Sequence, residues 1–203
     1  MMAEQNFKKN QTKKKIYQAL IKLSKIKFIR DVTVSELCRT ASINRSTFYL
    51  HYQDIDDLIL ELRERNIYFF IESVKDKKLY PSSIDLSGNQ TVFIDYKDLV
   101  EAIKHAENEK EVVMMLLGKH GDPHFATELK NAIRELLSYF LQDYYPQLKS
   151  KFPDVPEDYL SIILFDTSAE IILYWMEKGM EESPEKISEI ISSARIVGPL
   201  SLL

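Results

Sequence analysis

A short run of residues in the first quarter of the chain carries side chains suited to recognising nucleic acid. Arg45 can donate two hydrogen bonds to a guanine, and Ser46 and Thr47 can bond to bases or to phosphates. Tyr49 and His51 suit phosphate oxygens, which position a protein on a duplex without reading its sequence. The run therefore predicts a surface that touches both base edges and the sugar-phosphate backbone.

Two short helices across a tight turn must hold this run in place. Thr33 and Glu36 form a capping-box pattern, which predicts a helix that ends near Ala41. Asn44 can cap a second helix that continues to about Tyr52, and it is also a candidate DNA contact. Such a pair forms a helix-turn-helix, whose second helix can enter the major groove.

Apolar spacing indicates how this pair of helices packs. A first helix is predicted from Thr12 to Lys27, and the pair can bury one side against it. The residues with that spacing are Leu37, Cys38, Ile43 and Phe48. Cys38 is interpreted as a core thiol, and a single cysteine excludes both an internal disulfide and a multi-cysteine metal site.

Charge separates this first segment from the rest of the chain. The whole chain has 27 basic and 31 acidic side chains, and its net charge of −4 by itself argues against nucleic-acid binding. Residues 1–53, however, hold eleven basic and three acidic side chains, so their net charge is +8, against −12 for the remainder. In this basic segment Lys13 can reach the DNA backbone from the start of the first helix, and Thr33 suits a phosphate.

Helical spacing of apolar residues continues through most of the remaining chain. The sequence predicts an all-α fold, with a three-helix helix-turn-helix domain at residues 1–60 and a C-terminal helical bundle at residues 61–203. Turn formers predict a loop at residues 76–94, in which Thr91–Ile94 is the candidate strand. Further helices are predicted at about 54–75, 95–106, 108–117, 122–145, 156–178 and 183–198.

Residues 16–58 resemble the N-terminal part of the tetracycline-repressor (TetR) family of transcriptional regulators. The signature of that family near the end of the recognition helix is matched here by Phe48 and Tyr49, followed by His51 and Tyr52. The other residues that carry the resemblance are Ile16–Leu20, Phe28, Val32–Val34, Leu37, Ala41, Ile43, Asn44–Thr47 and Leu58.

Three positions depart from the family pattern. Ser42 replaces the usual turn glycine, which strains the turn if a positive φ is required there. Leu50 stands where many members carry a basic or polar side chain, and Ile55 replaces a lysine that commonly touches phosphate.

The resemblance implies a homodimer. Its two heads, the helix-turn-helix domains at residues 1–60, read the half-sites of a palindromic operator. Its all-helical body, residues 61–203, binds a small-molecule effector. The helices predicted at 156–178 and 183–198 are apolar around most of their circumference, so one face can pack internally and the other against a partner. We therefore expect dimerisation through these last two long helices. The side chains available to line an effector pocket are Met114, Met115, Phe125, Tyr139, Phe140, Phe165 and Trp175.

These features predict a one-component transcriptional regulator, a repressor rather than an activator. A cytoplasmic protein without a membrane span is expected, because no apolar run reaches about 18 residues and the charged N-terminal residues do not form a secretory signal. No catalytic motif and no nucleotide-binding glycine motif is present, so neither enzyme activity nor a cofactor is expected.

Three histidines and an aspartate in the middle of the chain raise the hypothesis of a metal site, namely His105, His120, His124 and Asp122. His120 and His124 are four residues apart, but Gly121 and Pro123 lie between them, so the two do not share a helix face. We therefore interpret these histidines as groups at loops and helix ends, and expect no metal.

The alternative function comes from a different class, an adaptor or co-activator that kept the helix-turn-helix shape but binds a protein. Leu50 and Ile55 favour this alternative, because they replace polar or basic residues on the DNA side. A salt titration distinguishes the two, since a DNA-binding protein loses affinity steeply as salt rises.

Overall fold

Helices dominate the computed structural model of this chain, which describes residues 2–75, 84–85, 93–94, 99–143 and 145–193. Within those residues the α-helices are α1 (Met2–Ser24), α2 (Val34–Ala41), α3 (Arg45–Tyr49), α4 (Ile55–Lys75), α5 (Leu99–Asn108), α6 (Lys110–Leu117), α7 (Phe125–Leu141), α8 (Tyr145–Lys151), α9 (Glu157–Ser161), α10 (Thr167–Glu177) and α11 (Pro184–Ser193). The predicted all-α class, with an N-terminal helix-turn-helix and a helical C-terminal part, is confirmed.

Several helix boundaries differ from the predicted ones. Helix α1 begins at Met2 and not at Thr12, since most of the intervening residues are good helix formers. The helix predicted at 122–145 ends at Leu141, and the separate helix α8 follows it. The helix predicted at 156–178 contains a π-helical turn at Ile162–Asp166 between α9 and α10. None of the helices in the described ranges is both long and apolar enough to cross a membrane.

One short β-ribbon interrupts the helices. Strand β1 (Ile84–Asp85) pairs antiparallel with strand β2 (Phe93–Ile94), so that Ile84 faces Ile94 across the ladder. Strand β2 lies inside the predicted strand Thr91–Ile94, whereas strand β1 falls where the sequence predicted a loop. Residues 76–83 and 86–92 of that predicted loop are outside the described ones.

The chain divides into two compact units, and the division does not follow the chain order. The first unit comprises residues 1–66 together with 111–125, and the second comprises 67–110 together with 126–203. The sequence placed a single boundary after residue 60. The helix-turn-helix therefore folds with a segment from the middle of the chain, and the assignment of DNA binding and effector binding to separate domains stays a prediction.

The first unit has a core between α1, α2 and α3. Ile16, Leu20, Leu37 and Phe48 are fully buried there, and Cys38 is buried beside them. Ile43, predicted to belong to the same set, is half-buried. The core fixes one side of α3, because Phe48 is the single fully buried residue of that short helix.

The second unit is held by apolar packing and by ion pairs. Helix α11 packs against α5 and α10, and Trp175 of α10 is buried with its Nε1 donating to the carbonyl oxygen of Glu182 at 2.9 Å. Arg134 of α7 donates to both carboxylate oxygens of Asp166, with Nε to Oδ1 at 2.7 Å. This pair connects α7 to the π-helical turn.

Candidate DNA-binding site

The turn between α2 and α3 has a left-handed residue at its first position. Ser42 has φ 55° and ψ 47°, and its amide donates to the carbonyl oxygens of Arg39 and Cys38. The amide of Ile43 also donates to the carbonyl oxygen of Cys38, at 3.0 Å. The turn therefore does require a positive φ, and Ser42 adopts it without the freedom that glycine would provide.

Helix α3 presents a polar face opposite its buried Phe48. Arg45, Ser46 and Tyr49 are exposed, and Thr47 is half-buried. Asn44 is the N-cap residue of this helix, as predicted, and has extended backbone angles, although its side chain makes no capping hydrogen bond. The side chain of Asn44 is exposed, as is that of the neighbouring Arg45.

The guanidinium of Arg45 is held by the preceding helix. Its Nη2 donates a hydrogen bond to Oγ of Ser35, which lies in the first turn of α2. Both side chains are exposed, so the contact orients Arg45 on the surface without removing it from solvent. Sequence reasoning missed Ser35, because a ten-residue separation across a turn gives no periodic signal.

Thr33 is the N-cap of α2, as the sequence predicted. Its hydroxyl accepts from the amide of Glu36 at 3.2 Å, and its own amide donates to the Glu36 carboxylate at 2.9 Å. Backbone and hydroxyl hydrogen bonds from Thr33, with a third from Lys27 at 3.1 Å, lower the pKa of Glu36 from 4.5 to about 2. The capping box thus occupies the Thr33 hydroxyl that was also a candidate phosphate contact.

Two further residues that were candidate DNA contacts, His51 and Lys13, lie outside α3. His51 is half-buried just beyond α3, and its ring lies 6.2 Å from the Tyr52 ring, centroid to centroid. Lys13 is half-buried on α1, where its ammonium group pairs with Glu61 of α4 at 2.5 Å. The sequence predicted neither the ring contact between His51 and Tyr52 nor the ion pair between Lys13 and Glu61.

An apolar groove of about 650 Å³ lies within the second unit, along α10 and α11. Its walls include Ile162, Ile171, Tyr174, Ile187 and Ile190. Tyr174 is 66% exposed although it stands among these apolar residues. The two helices therefore carry an open apolar surface in addition to their buried faces.

Comparison with known proteins shows which family this chain belongs to. Residues 96–195 match a TetR-type family model described as the C-terminal region of a transcriptional regulator. The chain belongs to the TetR family of transcriptional regulators. The match covers the part of the chain where sequence patterns alone had shown little resemblance. No curated protein matches this TetR-family chain significantly.

Solved structures share the fold of this TetR-family chain. A TetR regulator from Streptococcus agalactiae is 23% identical, with a TM-score of 0.55, over 95% of this chain and 98% of that one. A TetR-family regulator from Syntrophomonas wolfei is 16% identical, with a TM-score of 0.58, over 96% and 97%. The fatty acid degradation regulator FadR from Bacillus halodurans is 16% identical, with a TM-score of 0.53, over 93% and 96%.

The residues predicted to line an effector pocket fall in both units of this TetR-family chain. Met114, Met115 and Phe125 belong to the first unit, and Tyr139, Phe165 and Trp175 to the second. Met114 and Met115 line a cavity of about 470 Å³ beside His120, and Trp175 lines the apolar groove. Phe125 and Phe165 are core residues, and Tyr139 is exposed. Their role as an effector pocket stays a prediction.

Two of the four residues considered for a metal site make other contacts. Asp122 pairs with Arg63, and the Nδ1 of His120 lies 2.9 Å from the carbonyl oxygen of Ser24. His124 is exposed, and the side chain of His105 lies outside the described residues. In the part of the chain that the structure describes, no group of three or more His, Cys, Asp or Glu side chains could hold a metal ion.

Proposed function

We propose that this TetR-family chain binds double-stranded DNA as a homodimer and represses transcription until a small-molecule effector releases it. The observation that carries the proposal is the face of α3, where Arg45, Ser46 and Tyr49 are exposed and Phe48 is fully buried. A helix anchored on one side and polar on the other can enter a major groove with its N-terminal side chains at base edges.

The side chains around this face divide by the chemistry they offer. Arg45 suits a guanine, and Ser46 and Thr47 suit bases or phosphates. The other members of the proposed contact set, which suit the backbone or a base amide, are Asn44, Tyr49 and His51. The net charge of +8 on residues 1–53 supports the proposal, because cationic side chains supply most of the affinity of a protein for DNA.

Homodimerisation is proposed through α10 and α11. The apolar groove leaves Ile162, Tyr174 and Ile190 exposed, and such a surface is stabilised when a second copy covers it. A twofold pair of heads can then meet half-sites about 34–36 Å apart, one turn of the duplex, or a multiple of that distance.

Release by an effector follows from a shift between arrangements of the two heads. An effector releases DNA if it binds more tightly to an arrangement that does not fit the operator. The proposed effector is a small molecule held by side chains of the helical body, for which the predicted wall residues remain the candidates. Its affinity must differ between the two arrangements, because equal affinity would leave their populations unchanged.

A protein-binding adaptor is the second candidate function. Leu50 is 80% exposed and Tyr49 is 57% exposed, so adjacent apolar surface lies at the end of the recognition helix. Ile55, where relatives commonly carry a phosphate-binding lysine, is buried and contributes to packing instead. The exposed Tyr49 and Leu50 suit contact with a protein partner, whereas the buried Ile55 supplies neither a protein contact nor the phosphate contact of a lysine.

Fluorescence anisotropy distinguishes the two functions. Labelled duplexes from the DNA on either side of the gene are titrated with the full chain, beside a scrambled duplex of equal composition. The proposal expects one fragment to bind at least about a thousandfold more tightly than the scrambled duplex. It also expects that affinity to fall steeply from 50 to 200 mM salt, by about a thousandfold or more. Absence of binding to every fragment at 50 mM salt would refute DNA binding and favour the adaptor.

A further inference from the structure

A single carboxylate in the first unit receives hydrogen bonds from three other side chains. Glu61 of α4 accepts from Lys13 at 2.7 Å on Oε1 and 2.5 Å on Oε2. Tyr17 and Tyr52 donate their phenol groups to Oε1 at 2.7 Å and 2.9 Å. Glu61 therefore connects α1, α4 and the residue that closes the end of α3.

Burial and close contacts hold the side chains of this cluster in place within the first unit. Tyr17 and Tyr52 are buried, and their hydroxyl oxygens lie 3.2 Å apart. The ammonium group of Lys13 also lies 5.3 Å from the centroid of the Tyr52 ring, within the range of a cation–π contact. Lys13 and Glu61 keep only a quarter and a third of their side-chain surface exposed.

Hydrogen bonding determines the protonation states in the cluster. Burial raises the pKa of Glu61, but the hydrogen bonds from Lys13, Tyr17 and Tyr52 outweigh burial and hold that pKa below its usual value. Burial also raises the pKa of Tyr17 to about 12 and raises the pKa of Tyr52. At neutral pH the carboxylate is therefore ionised, and both phenols keep the protons that they donate.

Tyr52 follows α3 in the chain, and its backbone is hydrogen-bonded to the last turn of that helix. Its amide donates to the carbonyl oxygen of Phe48 at 3.0 Å, and the amide of His51 donates to the same oxygen at 2.9 Å. Any side chain that fixes Tyr52 consequently fixes the end of the recognition helix. Glu61 does so from α4, at a distance of nine residues along the chain.

We propose that Glu61 is a positioning residue for DNA binding, which fixes the end of α3 against α1 and keeps Lys13 away from the DNA backbone. The inference rests on the proposed function, because it assumes that α3 reads DNA. Both oxygens of Glu61 engage Lys13, so a phosphate contact would require Lys13 to abandon a carboxylate that is two-thirds shielded from solvent. Lys13 is then a structural cation, and one of the basic charges of the head is neutralised within the protein.

The salt dependence of DNA binding tests this assignment. The variants are Lys13→Met, Glu61→Gln and the double variant, with Glu64→Gln as a control that removes the same charge from an exposed position of α4. Each phosphate contact contributes about 0.9 to the slope of log affinity against log salt, in each head of the homodimer. Lys13→Met should leave the slope of the unmodified chain unchanged. Glu61→Gln should steepen the slope by about 0.9 per head through the released Lys13, and the double variant should lose that gain.

A second variant tests the positioning of α3. Tyr52→Phe removes one hydroxyl from the cluster and keeps the ring. We expect affinity for the specific duplex to fall by at most about fivefold, because specific binding must then order the end of α3 that the lost hydrogen bond had ordered beforehand. Affinity for the scrambled duplex should stay unchanged. A purely structural role would lower thermal stability without changing the ratio of the two affinities. Because the phenylalanine ring fills the same space, this variant should fold even if Glu61→Gln does not.

Three results would overturn the inference. A slope that falls by about 0.9 per head in Lys13→Met would make Lys13 a phosphate ligand. Equal slopes in Glu61→Gln and Glu64→Gln would show that Glu61 does not withhold Lys13. An unchanged affinity ratio in Tyr52→Phe would remove the positioning role. If the unmodified chain binds no duplex, the proposed function itself fails and the inference fails with it, a result distinct from these three.

Discussion

Asp122 accepts a hydrogen bond of 2.9 Å from Nη1 of Arg63, which lies 59 positions earlier in the chain. The carboxylate is almost fully buried, and its second oxygen accepts from the amide of His124 at 3.1 Å. The carbonyl oxygen of His120, in the same turn, accepts from the amide of Ile29 at 2.9 Å. These bonds explain why residues 111–125 fold with the helix-turn-helix.

Asp122→Asn should destabilise the first unit. The substitution removes the negative charge that faces the mostly buried Arg63 guanidinium, at a cost of about 2–4 kcal/mol in the free energy of unfolding. Urea denaturation of the full chain measures the change. Glu64→Gln, at an exposed position in the interior of α4, is the control and should change stability by less than about 0.5 kcal/mol. Equal effects of the two substitutions would show that the Arg63 pair contributes nothing.

Ser42→Gly should stabilise the protein. Ser42 holds φ at 55°, and a left-handed conformation costs a non-glycine residue about 1–2 kcal/mol. Glycine removes that cost but adds backbone entropy to the unfolded chain, so we expect a net gain of about 0.5–1 kcal/mol. The unfolding midpoint in urea reports the gain. Ser42→Ala keeps the strained backbone and should show no comparable increase.

Arg45→Ala should weaken sequence-specific DNA binding by about 1–3 kcal/mol and relax the preference at one position of each half-site. The reason is the loss of the bidentate contact to guanine that we propose for Arg45. Arg45→Lys keeps the charge but not the fork of donors, so it should retain nonspecific affinity and lose the preference. Anisotropy against duplexes varied at single positions measures both effects. A full specificity profile in Arg45→Ala would exclude Arg45 from base readout.

The stabilising effect of Glu36 should disappear in acid. Hydrogen bonds from Thr33 and Lys27 lower its pKa from 4.5 to about 2, so its carboxylate stabilises the folded state above about pH 4.5. That contribution is lost as the pH falls from 4.5 towards 2. The difference in Tm between the unmodified chain and Glu36→Gln should therefore narrow over this interval. A Tm difference for Glu36→Gln that stays constant from pH 4.5 to pH 2 would contradict the assignment.

Tyr174→Glu should convert the proposed homodimer into a monomer. The substitution places a charge in the apolar groove of α10 and α11, where a partner would have to bury it. Sedimentation velocity at micromolar protein concentration measures the change in mass. Tyr159→Glu is matched to it, because Tyr159 is 59% exposed on α9 and lies outside the residues that line the groove. Dimers of unchanged stability in Tyr174→Glu would exclude this surface as the interface.

The features that could be predicted from the amino-acid sequence are those that local interactions control. The capping box of Thr33 and Glu36, the buried side of α3 at Phe48 and the helical class follow from interactions within a few residues. The exposed positions of Arg45 and Tyr49 follow in turn, because a helix with one buried side must expose the other. The family pattern indicated strain at Ser42 only if the turn needs a positive φ, and the structure shows that φ there is 55°.

Contacts between side chains that are distant along the chain could not be predicted in this way. The pairing of Lys13 with Glu61, across 48 positions, and of Arg63 with Asp122, across 59, leaves no periodic trace in the sequence. A lysine near a helix start has the same local pattern whether it faces a phosphate or a carboxylate. The choice depends on where α4 packs against α1, and that packing is fixed by the whole apolar core and not by the residues beside the lysine.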